Sequence, residues 1–230
     1  MQKLIITALL KLVIVTSFSQ TVLWENRPFQ LIHTKHEIVD INGAKVLRLE
    51  RDLASLPFDA NNVESTVDLP TFAKLRARDI ENGIIEVKMM SQVMQNSPYS
   101  QARGFIGIAF RVDSNEHFEC IYLRPANGRV EDQLRRNRSV QYFAYPGYTF
   151  SRLRKDANGM YETYADIGLD EWIDVKIEFQ GRKARLYING QQHPSFVVNE
   201  MLGKTQKGSI GLWVDIGTIG YFKDLKITEL

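Results

Sequence analysis

Apolar and polar residues alternate with a period of two through much of this chain, the pattern of strands with one face buried. Over residues 83–90, Ile85, Val87 and Met89 share one face, and Glu86 and Lys88 share the other. Over 104–112, Ile106, Ile108, Phe110 and Val112 oppose Phe105, Gly107, Ala109 and Arg111. Residues 171–179 set Ile173, Val175, Ile177 and Phe179 against Trp172, Asp174, Lys176 and Glu178. Residues 183–189 place Ala184, Leu186 and Ile188 opposite Arg185 and Tyr187. Residues 208–215 place Ile210, Leu212 and Val214 opposite Ser209, Gly211, Trp213 and Asp215. No segment sustains a helical period.

Turn chemistry separates these runs. Gln180-Gly181-Arg182 joins two of them, and Asn189-Gly190 is the strongest hairpin signal in the chain. The last strand changes parity between Phe222 and Leu225, which predicts a bulge near Asp224. Short strands punctuated about every ten residues predict an all-β fold, a sandwich of two antiparallel sheets or a barrel. No composition shift marks a second domain, so residues 20–230 read as one.

Two segments depart from this pattern. At the start, Met1-Gln2-Lys3 precedes an apolar stretch over 4–15 that Lys11 interrupts, and Ser17-Phe18-Ser19 follows. This is the form of a secretory signal peptide spanning residues 1–19, cut after Ser19, and it is short for a membrane span. The expectation is a secreted or periplasmic chain with no membrane span after cleavage. No Cys follows the stretch to carry a lipid anchor. The second departure is an insertion over 124–139 holding Arg124, Arg129, Arg135, Arg136 and Arg138 against Glu131 and Asp132. Insertions of this length inside compact domains are often functional. The aromatics Tyr142, Phe143, Tyr145, Tyr148 and Phe150 follow it.

Charge sharpens the picture. The 230 residues hold 29 Lys and Arg against 27 Asp and Glu, a formal net charge of +2. Lys3 and Lys11 account for that excess, so residues 20–230 are formally neutral. A general attraction for anions is therefore excluded, and any such argument rests on the insertion. Cys120 is the only cysteine and lies in an apolar strand pattern, so it reads as a buried thiol with no intrachain disulfide.

The C-terminal half carries a resemblance. Glu171-Trp172-Ile173-Asp174-Val175-Lys176-Ile177 comes first, then Ala184-Arg185-Leu186-Tyr187-Ile188-Asn189-Gly190. Gly208-Ser209-Ile210-Gly211-Leu212-Trp213 follows, and Gly220-Tyr221-Phe222-Lys223-Asp224-Leu225-Lys226-Ile227 ends the series. In order and spacing these segments resemble the terminal strands of the concanavalin A-like lectin/glucanase superfamily. The similarity within it is to laminin-G-like and 3-keto-disaccharide hydrolase-like domains. The resemblance implies a jelly-roll sandwich with a saccharide partner, and either glycoside cleavage or recognition alone. The Glu-x-Asp-x-x-Glu strand of that superfamily's glucanases is absent, which argues against a retaining glucanase.

A candidate site follows from strand parity. The non-core faces carry three carboxylates for acid–base work, Glu86, Glu119 and Asp215. Arg111, Gln141, Tyr145 and Trp213 are candidate ligand-binding residues on the same faces, with Trp213 as an exposed stacking platform. Gly107 and Ala109 leave room beside them. Tyr122 and Arg124 have the opposite parity to Glu119 unless a bulge intervenes. From the insertion, Arg124, Arg135 and Arg136 are candidates to contact an acidic glycan; a solvated loop is the plainer reading. Nucleic acid is not expected as a partner, because export would separate the two. Trp213 packed under a loop and an Arg111–Glu119 surface pair are the plainer alternatives for those residues.

No cofactor or metal is expected. His33 and His36 lack a third ligand nearby, and Asp113-Ser114-Asn115-Glu116 reads either as a hairpin turn or as a rim Ca²⁺ site like those of some laminin-G-like domains.

Overall fold

The alternating segments form two antiparallel sheets stacked face to face. A computed structural model describes residues 20–230, so the expected signal segment and its cleavage after Ser19 lie outside the described residues. The first sheet runs in the order β1 (Thr21–Trp24), β2 (Arg27–Ile32), β5 (Phe72–Leu75), β14 (Ser209–Val214), β7 (Ile106–Val112), β8 (Phe118–Leu123), β9 (Val140–Tyr145) and β10 (Glu162–Thr163). The second runs β13 (Phe196–Val198), β12 (Lys183–Ile188), β11 (Ile173–Gln180), β6 (Gly83–Val93), β15 (Thr218–Glu229), β4 (Ala44–Arg51) and β3 (Thr34–Ile41). This is the predicted sandwich of two antiparallel sheets.

The second sheet obeys the simple period. Ile85, Val87, Met89, Ile173, Val175, Ile177 and Phe179 are buried, and Glu86 and Asp174 opposite them are exposed. Phe110 of β7 meets Phe179 across the layer with ring centroids 4.8 Å apart. Asp224 has φ +60° where the β15–β6 register shifts between Lys223 and Lys226, the expected bulge. Asn189 and Gly190 adopt φ +51° and +71°, the left-handed pair a tight turn needs. The return strand starts only at Phe196, so this turn opens a longer loop rather than closing a two-residue hairpin.

The central strands of the first sheet do not obey it, because both their faces are buried. Every residue of β7, β8 and β14 is buried. One face packs on the second sheet. The other carries an aromatic layer of Phe72, Phe118, Tyr122, Phe143 and Trp213. Over this layer lie the segment from 52 to 71, the arginine insertion and two short helices, α1 (Gln133–Arg136) and α2 (Phe150–Asp156). The insertion is thus not a free loop: Asp132 caps α1 by accepting from Arg135 N–H, and Asn127 holds Arg138 O at 3.2 Å. Cys120 is buried within this sheet, and burial pushes its thiol well up, so it is inert.

Candidate functional site

The strand register builds the floor of a pocket on the outer face of the first sheet. Trp213 pairs with Gly107, and Gly107 pairs with Tyr122. The glycine leaves its own space to its neighbours, so the Trp213 and Tyr122 rings close over it with centroids 5.0 Å apart. A Cβ on Gly107 would sit 2.5 Å from Tyr122 Cβ. The room expected beside Gly107 is therefore filled by aromatic rings. Above this floor opens a cavity of about 240 Å³, lined by Tyr99 and Phe105 and by Phe150 and Arg154 of α2.

Two aspartates enter this cavity. Asp215 follows β14 directly, and its side chain is locked. Oδ1 accepts from Arg51 Nη1 at 2.9 Å and from Ile216 N–H at 2.7 Å, and Oδ2 accepts from Asp68 N–H at 3.0 Å. Arg51 also donates to Leu56 O, Thr66 O and Pro57 O, so one buried guanidinium ties the covering segment to Asp215. Asp68 has φ +56° and is buried. Its Oδ2 accepts from Phe150 N–H at 2.7 Å, the one hydrogen bond its carboxylate accepts among the described residues.

The two carboxyls share a buried environment but not the same compensation. Burial raises both. At Asp215 the Arg51 charge and two amide donors oppose the rise. At Asp68 burial dominates, the Phe150 N–H opposes it, and the neighbouring Asp215 charge adds to it, with Arg124 and Arg154 pulling back. Asp68 is pushed up to about 7, so it is the member of the pair that holds a proton near neutrality.

Arginines form the rest of the wall. Arg124 is buried, donates to Tyr122 Oη, and stacks 4.9 Å from the Tyr122 ring centroid and 5.5 Å from that of Phe150. Glu162 of β10 sits behind the wall and serves three guanidiniums, Arg124 at 3.4 Å, Arg138 at 3.4 Å and Arg154 at 2.5 Å. Arg103 and Arg135 line the same cavity. Arg103 donates to the Ala102 and Ser100 carbonyls, and Arg135 to Asn127 Oδ1.

The structure brings together Asp215 and Trp213 of the residues predicted from parity with Arg124 and Arg135 of those predicted from the insertion, and it separates the others. Trp213 is fully buried, with Nε1 bonded to Leu69 O at 2.9 Å, so it floors the pocket instead of standing as an exposed platform. Glu119 is not on this face. Phe118, Cys120 and Tyr122 take the outer side of β8, which turns Glu119 toward the second sheet, where it accepts from Tyr142 Oη and lies under Gly203. Burial pushes its carboxyl up to about 7. Tyr122 and Arg124 reach the pocket with no bulge. Glu86 is on the exposed face of the other sheet, too far round the fold to act with Asp215. Arg111 has φ +54° where the β14–β7 register shifts, which turns its guanidinium 5.6 Å over the Phe179 ring and onto Glu81 O. Gln141 is buried beside the wall, bonding Arg124 and the Tyr142 and Tyr161 carbonyls. Tyr145 stacks on Phe118, and Arg136 lies over Tyr164 on the surface. Asp113 accepts from Asn115 and His117 N–H across the β7–β8 turn, and no group of three His, Cys, Asp or Glu side chains placed to hold a metal ion occurs among the described residues.

Asp68, Arg103 and Arg154 were not foreseen. Asp68 lies in a stretch with no strand period, and its only local signal is the turn-like Asp68-Leu69-Pro70.

No protein-family model matches the sequence, and no curated sequence matches it significantly. Solved structures do match its fold. One is the carbohydrate-binding module CBM66 from Bacillus subtilis, with a TM-score of 0.51 at 12% identity, covering 86% of this chain and 97% of that one. Another is a variant of the GH43 protein BlXynB from Bacillus licheniformis, also at 0.51 and 12%, covering 92% of this chain and 38% of that larger one. The fold is the concanavalin A-like jelly-roll sandwich.

Proposed function

We propose that the protein is an exported domain that binds a saccharide in the pocket over Trp213 and Tyr122. One observation carries this: aromatic faces and polar donors converge on a single-ring-sized cavity, the combination that suits a sugar's C–H face and hydroxyl rim. The likeness in fold to a carbohydrate-binding module supports it. Residues 1–19 support export by their pattern alone. The test is calorimetry of the full chain against a panel of mono- and oligosaccharides, with Tyr122→Phe as the pocket variant. Saccharide affinity in the wild type, reduced in the variant, supports the reading; no binding across the panel overturns it.

A second reading adds cleavage, of ordinary or 3-keto-glycosides. The raised Asp68 carboxyl favours it, because a buried acid that keeps a share of its protons near neutrality can donate to a leaving glycosidic oxygen while Asp215 stays bound to Arg51. Product release from either glycoside type, abolished in Asp68→Asn, supports cleavage. Binding without turnover leaves a recognition module.

A further inference from the structure

We propose that the saccharide taken by this pocket carries a carboxylate, as in a hexuronic acid or a related sugar acid, and that Arg103 and Arg135 hold it. The inference rests on the saccharide reading above and names its substrate class. Six guanidiniums gather around the cavity, those of Arg51, Arg103, Arg124, Arg135, Arg138 and Arg154, against three carboxylates, Asp68, Asp215 and Glu162. The surplus is three positive charges with Asp68 ionised and four with it protonated.

The surplus is not evenly spread. Arg51 is consumed by Asp215, and Glu162 is shared among Arg124, Arg138 and Arg154. Arg103 and Arg135 have no carboxylate partner among the described residues. Each bonds only neutral oxygens, so each keeps donors of its five-donor fork for a ligand. Both are half-buried, and the Arg135 charge acts unfavourably on Arg103, as two uncompensated cations facing one space must. An arginine fork matches a planar carboxylate two bonds at a time. The aromatic walls show why the anion is part of a larger ligand: an inorganic ion would leave the half-buried rings of Tyr99, Phe105 and Phe150 without an occupant.

The experiment is calorimetry of the full chain with glucuronic, galacturonic and mannuronic acids, their methyl esters, and glucose 6-sulfate. The expected result is that one free acid binds at least about tenfold more tightly than its own ester, and that added salt weakens the acid alone. Arg103→Gln and Arg135→Gln, with wild-type thermal unfolding, each remove that preference. Equal affinity for acid and ester overturns the carboxylate inference and leaves the saccharide reading standing. Preference for the sulfate also overturns it. Binding of no sugar in this panel or the earlier one overturns both.

Discussion

Asp215 Oδ2 accepts the backbone N–H of Asp68 at 3.0 Å, so one acidic side chain fixes the backbone that presents another. The left-handed φ of +56° at Asp68 is held from outside by this bond, and the bond is held in turn by Arg51. A β-strand end, a buried cation and an irregular segment become one unit. The unit determines which carboxyl faces the cavity as an acid and which remains an ion.

Arg51→Met should therefore be costly. It leaves Asp215 buried without its counter-charge and releases three backbone carbonyls of the covering segment. A loss on the order of 3–5 kcal/mol is expected for breaking a buried pair on one side, measured by urea unfolding at pH 7.5. Arg51→Met with Asp215→Asn should recover part of that loss. A double variant as unstable as the sum of the two singles would contradict the coupling.

The contribution of Asp68 and Glu119 to stability should fall as pH rises from about 4 to about 7. Asp68 and Glu119 hold carboxyl pKa values near 7 in the folded chain against ordinary values of 3.8 and 4.5. Between those limits the folded state binds more protons than the unfolded one, so their contribution is complete at low pH and is lost as each ionises. The charges facing Asp68 are Asp215, Arg124 and Arg154, and those facing Glu119 are Arg111 and Arg182. Each buried group contributes a slope of up to about 1.4 kcal/mol per pH unit. Thermal unfolding of Asp68→Asn and Glu119→Gln across pH 4–8 should show a flatter profile in each; unchanged profiles would refute the assignment.

Gly107→Ala should disturb the pocket floor more than an added methyl suggests. Its Cβ would meet Tyr122 Cβ at 2.5 Å and Ile121 O at 2.6 Å, and backbone cannot step aside cheaply. A destabilisation of roughly 1–3 kcal/mol is expected, together with changed near-ultraviolet circular dichroism from Trp213 and Tyr122. A wild-type spectrum with wild-type stability would show that the rings do not depend on the gap.

Trp213→Ala is a poor probe of binding for the same reason. The side chain is fully buried and bonded to Leu69 O, so its removal should cost about 3–5 kcal/mol. Tyr122→Phe removes only the hydroxyl that meets Arg124 and is the cleaner variant. A loss of about 1–3 kcal/mol is expected, because a donor of the buried Arg124 loses its partner, together with weakened saccharide binding; calorimetry at a temperature where thermal unfolding shows the variant folded separates the two.

The second sheet was legible because one of its faces meets solvent. Glu86, Lys88, Asp174 and Lys176 mark that face, and period two then locates the core. In the central strands of the first sheet both faces are covered, so hydrophobicity no longer says which way a side chain points. Phe118 and Cys120 look like inter-sheet residues, a parity that puts Glu119 on the outer face, whereas in the structure they take the outer side and Glu119 points inward. Trp213 and Asp215 were placed together correctly because parity alone, without a choice of face, puts them side by side. Asp68 was beyond such reasoning: its position follows from Arg51 and Asp215, contacts that no local pattern encodes.

Those contacts also set when the pocket comes into being. Asp215 reaches back 147 residues to Asp68 and 164 to Arg51, and Trp213 reaches back 144 to Leu69. Loop closures of this span are slow to form and late to reward the chain. Strand pairs closed by short turns, such as β7 with β8 or β11 with β12, can pair early because little chain must be closed. The pocket cannot form this early, so a refolding chain should regain its β circular dichroism before the near-ultraviolet signal of Trp213 and Tyr122.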